Sequence, residues 1–473
     1  MTAAIDILTE DALLEIFEFY LDDDDTGYND WHTLVHVCQR WRNIVFGSSH
    51  YLDLQLLCTP TTPVRVSLHI WPPLPITIYD EHDSTSNFDN VIAAIEHNDR
   101  VCEVTLEHLS FSQLNEAVAR MEQPFPELTY LELRTKPEMW LPLPSLPSSF
   151  LGVSAPYLIV LKLFGIPFPA LPKLLLSTPD LETLFLCNIP DFKIPPNVML
   201  GCLSALTCLE KLCIDFYSFR APLYSPPNRP SRRRKRVFLP VLRRFLFTGS
   251  SGYVEHLLNW IDAPLLGRLV INLFEEEELT YDTPQLARFI SRTPMFEAPI
   301  EARVFIESGA IRVVIPSSKR VDDSEAITVQ IYCTEPDRQL WCLAQVCRTA
   351  LPCLSTVEHL YISDSILPPL DWPDDIENTR WWDLLRPFTA LKNLYLSEAF
   401  APRIAPALQE LFRESVTEVL PKLQNIFLED FQPSDPAKTA IWQFVTGSRV
   451  DGHHMTVAHW DRELCTWEED YEW

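Results

Sequence analysis

The sequence predicts an α/β protein in which a small N-terminal helical module precedes a curved solenoid with a parallel sheet. Three observations carry that prediction. Apolar residues near the start recur at helical spacing, and an apolar-x-apolar step recurs through the remainder at intervals of 22 to 35 residues. Several of the intervals hold a helix-like run. The chain has 473 residues, which suits two or more domains or a repeat array.

In chain order, the first helix is carried by Leu13, Ile16, Phe17, Tyr20 and Leu21, at i, i+3, i+4, i+7 and i+8. Thr9 is its expected N-cap, and Glu10 and Asp11 suit the positive end of the helix dipole. Asp22 to Asp25 and Gly27 end it, because like negative charges oppose a helix C-terminus. Trp31, Leu34, Val37, Cys38 and Trp41 form a second helical run, continuing through Ile44 and Val45 to Gly47. Residues 5–52 are therefore read as one helical module.

The pieces L-T-E-D-A-L-L-E-I-F at 8–17 and V-C-Q-R-W-R at 37–42 resemble the F-box. That resemblance implies a three-helix module that docks onto a Skp-type adaptor, and through it onto a cullin–RING ubiquitin ligase. Carried over position by position, it implicates Leu8, Leu13, Ile16, Phe17, Val37, Cys38 and Trp41. Two departures stand out. Thr9 replaces the usual proline, and the loop after the first helix is longer and more acidic than is common. Residues 5–52 carry ten acidic and two basic side chains, so the attraction to an acidic adaptor must come from apolar burial.

Residues 53–450 carry the period. The pattern apolar-x-x-apolar-x-apolar begins at Val101, Leu128, Leu158, Leu181, Leu209, Leu242, Leu266, Val357, Leu391 and Leu423. Looser steps occur at Leu54/Leu56, Ile76/Ile78, Val304/Ile306 and Val329/Ile331. This is leucine-rich-repeat-like, although the usual asparagine after the strand is missing and no asparagine ladder is expected. Alternate side chains of each strand share one face, and stacking buries that face. Separate α/β layers are the alternative architecture. Helical returns are expected at 111–121, 285–292, 339–349 and 405–420. Pro126, Pro156, Pro179, Pro264, Pro352 and Pro421 stop the returns before the strands. Alternation through 300–332, with Ser308-Gly309, predicts an inserted hairpin. Residues 220–236, with five consecutive basic side chains at 232–236, are a loop insertion, and 451–473 are an acidic, Trp-rich tail.

Composition narrows the chemistry. There are 40 prolines but only 11 glycines, and no G-x-G-x-x-G or G-x-x-x-x-G-K-[ST]. A net charge of −27 opposes nucleic-acid binding. The apolar stretch 158–176 is broken by Lys162, Pro167, Pro169, Pro172 and Lys173, so no membrane span is expected. With no visible secretory leader, a cytoplasmic and/or nuclear location and twelve reduced cysteines are expected. The trios Cys202/Cys208/Cys213 and Cys342/Cys347/Cys353 lack zinc-site spacing and read as core residues. His453, His454 and His459 read as exposed polar residues rather than a zinc site. The 232–236 run is a solvated loop, an import signal or an anionic docking site, and Glu275 to Glu278 a solvated loop. Gly249-Ser250-Ser251-Gly252 is not a nucleophile elbow. No cofactor and no catalytic activity are expected.

One repeat position remains polar in the early repeats and turns apolar or aromatic later. The residue between the last two apolar strand positions is Thr105, Glu132, Lys162, Phe185, Cys213, Leu246, Val270, Tyr361, Tyr395 and Phe427 in order. It faces the expected concave surface. Phe185, Tyr361, Tyr395 and Phe427 are candidate target-binding residues, with packing beneath the chain's own C-terminal tail as the alternative.

Blocks at 31–48, 71–76, 96–102, 283–294 and 354–362 are similar to the F-box proteins with degenerate leucine-rich repeats found in mushroom-forming fungi. The resemblance implies a non-catalytic substrate receptor of an SCF-type ubiquitin ligase. The alternative is an F-box and repeat scaffold acting outside a ligase.

Overall fold

A computed structural model describes residues 8–21, 31–80, 88–136, 145–189, 194–216, 236–274, 283–296, 298–316, 325–364, 377–414, 419–429, 441–443, 445–446 and 455–460. They fall into two compact units, divided after Ile194. The acidic loop 22–25, most of the 220–236 insertion, the run 275–278 and most of the 451–473 tail lie outside the described residues.

The first unit opens with α1 (Glu10–Leu21), α2 (Trp31–Val37) and α3 (Gln39–Gly47). The run expected to continue through 31–47 is broken at Cys38. Its backbone is extended (φ −160°, ψ 169°), and its Sγ accepts from the Trp41 amide at 3.5 Å as an N-cap. An apolar residue at helical spacing thus ends one helix and starts another.

Six strands follow: β1 (Leu56–Cys58), β2 (Ile76–Asp80), β3 (Val101–Leu109), β4 (Tyr130–Thr135), β5 (Val160–Phe164) and β6 (Thr183–Ile189). All pair in parallel and in sequence order. Leu131 and Leu133, Leu161 and Leu163, and Leu184 and Leu186 point into the core, as the apolar-x-apolar step requires. The first step is displaced: Leu56, not Leu54, lies opposite Ile76. The Leu54 amide is still engaged with the Ser49 carbonyl at the end of α3, so the strand starts later. The two-residue shift leaves the buried face unchanged.

The second unit holds β7 (Lys211–Phe216), β9 (Arg244–Gly249), β11 (Arg268–Phe274), β15 (His359–Asp364), β16 (Asn393–Leu396) and β17 (Asn425–Glu429) at expected repeat positions. Short strands β8 (Val237–Phe238) and β10 (Ile261–Asp262) pair with each other. Returns contain helices at Pro284–Arg292, Pro336–Thr349 and Ala401–Glu414, close to the predicted ones. In eight repeats of the chain the first apolar residue of the pattern donates its amide to the carbonyl three residues earlier: Leu128, Leu158, Leu181, Leu209, Leu266, Val357, Leu391 and Leu423. Five of these turns carry a predicted proline at their second position, Pro126, Pro156, Pro179, Pro264 and Pro421, and the recurring turn resets the chain for each strand.

The expected hairpin becomes a three-stranded meander. β12 (Glu301–Glu307) and β13 (Ala310–Pro316) are antiparallel, turning at Gly309 (φ 124°), and β13 is antiparallel to β14 (Glu325–Tyr332). The order is β11-β14-β13-β12-β15, so β12 and β14 exchange the places their sequence positions predict. Both remain parallel to their outer neighbours β15 and β11. The segment read as a tail also supplies a strand, β18 (Thr456–Trp460), parallel to β17.

Candidate protein-interaction surfaces

The three N-terminal helices have an inner and an outer apolar surface. Leu13 and Phe17 of α1 are completely enclosed, and the Phe17 ring lies 4.7 Å from Trp41 of α3. Leu8 and Trp41 are half-buried. The Leu8 carbonyl accepts from Arg40 Nη2 at 2.5 Å, closing the start of α1 onto α3. On the outer side Ile16 is 48% and Val37 56% exposed, and Cys38 is exposed. Of the seven residues implicated by the F-box resemblance, four thus belong wholly or partly to the module's own packing. Phe19 was not among them, yet it is 83% exposed, with Tyr20 beside it. Its signal was present in the spacing: Ile16, Phe19 and Tyr20 stand at i, i+3 and i+4.

The helices are anchored to the first repeat through Trp31. Its ring lies 5.3 Å from Trp71, which follows α4 (Val64–Ile70), and 5.8 Å from Phe46. Its Nε1 donates to the Gln55 carbonyl at 2.9 Å. His32 stacks on Trp71 at 5.0 Å and 15°.

On the sheet of the first unit, Thr105, Glu132, Lys162 and Phe185 align in one row by strand register. Phe185 is only 8% exposed, so the row offers a charged group and not an open aromatic ring. Tyr130 donates to Glu132 Oε2 at 2.6 Å, Lys162 Nζ donates to the same oxygen at 3.1 Å, and Arg134 Nη2 donates to Oε1 at 3.2 Å. Burial alone would raise the Glu132 pKa. The hydrogen bonds from Tyr130 and Lys162, with the Lys162 charge, hold it below its ordinary value of 4.5. Its ionised form therefore stabilises the fold above that ordinary value, and the contribution is lost as pH falls through the lowered one. Glu132→Gln should lower stability at neutral pH and flatten the loss on acidification below the ordinary carboxylate range. Denaturant midpoints measured across the acid range check this; parallel pH curves for the two proteins would contradict it.

The second unit has its own row. Arg303, Tyr361, Tyr395, Phe427 and Ala458 align across β12, β15, β16, β17 and β18. Tyr361 and Tyr395 stack at 4.1 Å and 11°, and Tyr395 and Phe427 at 4.4 Å and 8°. These three predicted residues are brought together, each half-buried against its neighbours. Two residues earlier in each strand runs a polar ladder that the sequence reading missed. Asn425 Nδ2 donates to Asn393 Oδ1 at 2.7 Å, and Thr456 Oγ1 to Asn425 Oδ1 at 2.5 Å. His359 Nδ1 lies 3.2 Å from Asn393 Nδ2 and 3.5 Å from the Tyr395 hydroxyl. The side-chain ladder fixes strand register beside the rings, on the same face. Its signal was a polar residue at one offset before successive aromatic positions.

Among the described residues no group of three or more His, Cys, Asp or Glu is placed to hold a metal ion, and no helix is long and apolar enough to cross a membrane.

The sequence matches no family model and no curated protein. Among solved structures, the chain is similar to one from the yeast Rad7 and Elc1 complex at 13% identity and a TM-score of 0.27, covering 89% of this chain and 88% of that one. It is also similar to the leucine-rich repeat-containing protein LegL7 from Legionella pneumophila at 12% identity and a TM-score of 0.26, covering 77% and 95% respectively. The leucine-rich-repeat-like description rests on the strand register and turns above.

Proposed function

We propose that this chain is a non-catalytic substrate-recognition subunit of an SCF-type ubiquitin ligase, of the F-box kind with degenerate repeats. The N-terminal helices dock a Skp-type adaptor, and the repeat sheet receives a target protein. The target is thereby held near the ligase, which raises the effective concentration of its lysines. The chain works in the cytoplasm and/or nucleus and needs no cofactor.

The observation that carries this reading is the exposure of Ile16, Phe19 and Val37 on helices whose inner face is already satisfied. Large exposed apolar side chains on a well-packed module suit a partner interface. The net −8 charge of residues 5–52, from ten acidic and two basic side chains, makes apolar burial the attractive term.

Co-purification of the full chain with the host's Skp-type adaptor and cullin tests the proposal. The triple change Ile16→Glu, Phe19→Glu and Val37→Glu should weaken adaptor capture at least roughly thirtyfold, the equivalent of about one lost hot spot. Its thermal transition should be unchanged. Equal capture by the variant would sink adaptor docking through these residues. Adaptor captured consistently without a cullin would replace the ligase role with that of a scaffold.

A further inference from the structure

The aromatic row of the second unit already has an occupant. Trp460, at the end of β18, lies 5.7 Å from Tyr361 at 60° and 5.7 Å from Tyr395 at 71°. It is only 8% exposed, whereas the other four residues of its strand are exposed or half-buried. Trp460 is therefore the one buried anchor of β18. Its ring meets the stack at a tilt, the geometry favoured between one aromatic edge and another's face.

The fit has a defect. Trp460 Nε1 is buried and has no hydrogen-bond partner among the described residues. A buried donor without an acceptor weakens the contact that encloses it. An incoming ring whose polar atom is satisfied gains the same aromatic contact without that loss. At the other end of the row, Arg303 is held by Glu301 at 2.6 Å, so the slot is bounded by an ion pair.

We propose that Tyr361 and Tyr395, backed by the Phe427 ring stacked on Tyr395, form a docking slot for an aromatic side chain presented by a target protein, and that Trp460 is its displaceable internal occupant. This rests on reading the second unit as a target receptor. The net charge of −27 favours a protein segment over a nucleic-acid base as the incoming ring.

The test uses the full chain and N-acetyltryptophanamide as probe, followed by saturation-transfer NMR. Trp460→Ala should bind the probe at least tenfold more tightly than the unaltered chain. Adding Tyr395→Ala should cancel the gain, and N-acetylleucinamide should show none. Trp460→Leu keeps an apolar anchor for β18 and should show the same gain, including where the alanine variant fails to fold. No gain in a folded variant, or an equal gain for the leucine probe, overturns the slot. Equal binding of adenosine overturns its assignment to a protein segment. Adaptor capture is read at the N-terminal helices and is scored separately, so loss of the ligase reading leaves this outcome distinguishable.

Discussion

Alanine at Phe17 should destabilise the N-terminal helices by about 3–5 kcal/mol, whereas alanine at Phe19, two residues on, should change their stability by no more than about 0.5 kcal/mol. Both are phenylalanines of one helix, and composition does not separate them. Phe17 is fully enclosed against Trp41, so its removal leaves a cavity that the neighbouring side chains cannot fill. Phe19 stands in solvent. Hydrogen exchange of the amides of α1 and α3 reads the difference. Both variants should lose adaptor capture, the first through unfolding and the second through loss of contact. Similar exchange rates in the two would contradict the assignment of inner and outer faces.

Trp31→Ala should cost a further about 3–5 kcal/mol and detach the helices from the first repeat. The ring contacts Trp71 and Phe46, and its Nε1 holds the Gln55 carbonyl just before β1. Trp31→Phe should restore most of the packing and leave a deficit of about 1 kcal/mol for the hydrogen bond. Limited proteolysis is the direct measurement: the alanine variant should release a helical fragment that the phenylalanine variant retains. A fragment released equally from all three proteins would show that Trp31 is not the anchor.

The repeat strands were legible because each must bury alternate residues, a local demand that writes apolar-x-apolar into the chain. The exchanged positions of β12 and β14 were not legible. Either order satisfies the same local pattern, and the choice is made by pairing between distant segments. β18 escaped notice for a related reason: as an edge strand with one buried residue, it lacks the alternation that marked the others. Cys38 read as a helical position because an apolar side chain at the right spacing conceals its backbone role. The site was legible in part. A fixed offset in successive repeats found Tyr361, Tyr395 and Phe427, and it also selected Phe185, which the structure encloses. The covering Trp460 lies in the strand that the period did not reveal.

The exchange of β12 and β14 has a consequence for synthesis. During synthesis most strands of such an array can pair with the preceding neighbour as soon as they emerge. Here the β12–β13 hairpin is complete by Pro316, while β14 and β15, the strands that flank it, have yet to be made. The outer edge of β11 waits for β14 as well. A nascent chain whose emerged part ends between 316 and 325 thus presents three open strand edges at once. Such edges are templates for pairing with another chain. Slowing translation in that interval should expose the protein to misassembly more than slowing it elsewhere in the repeats.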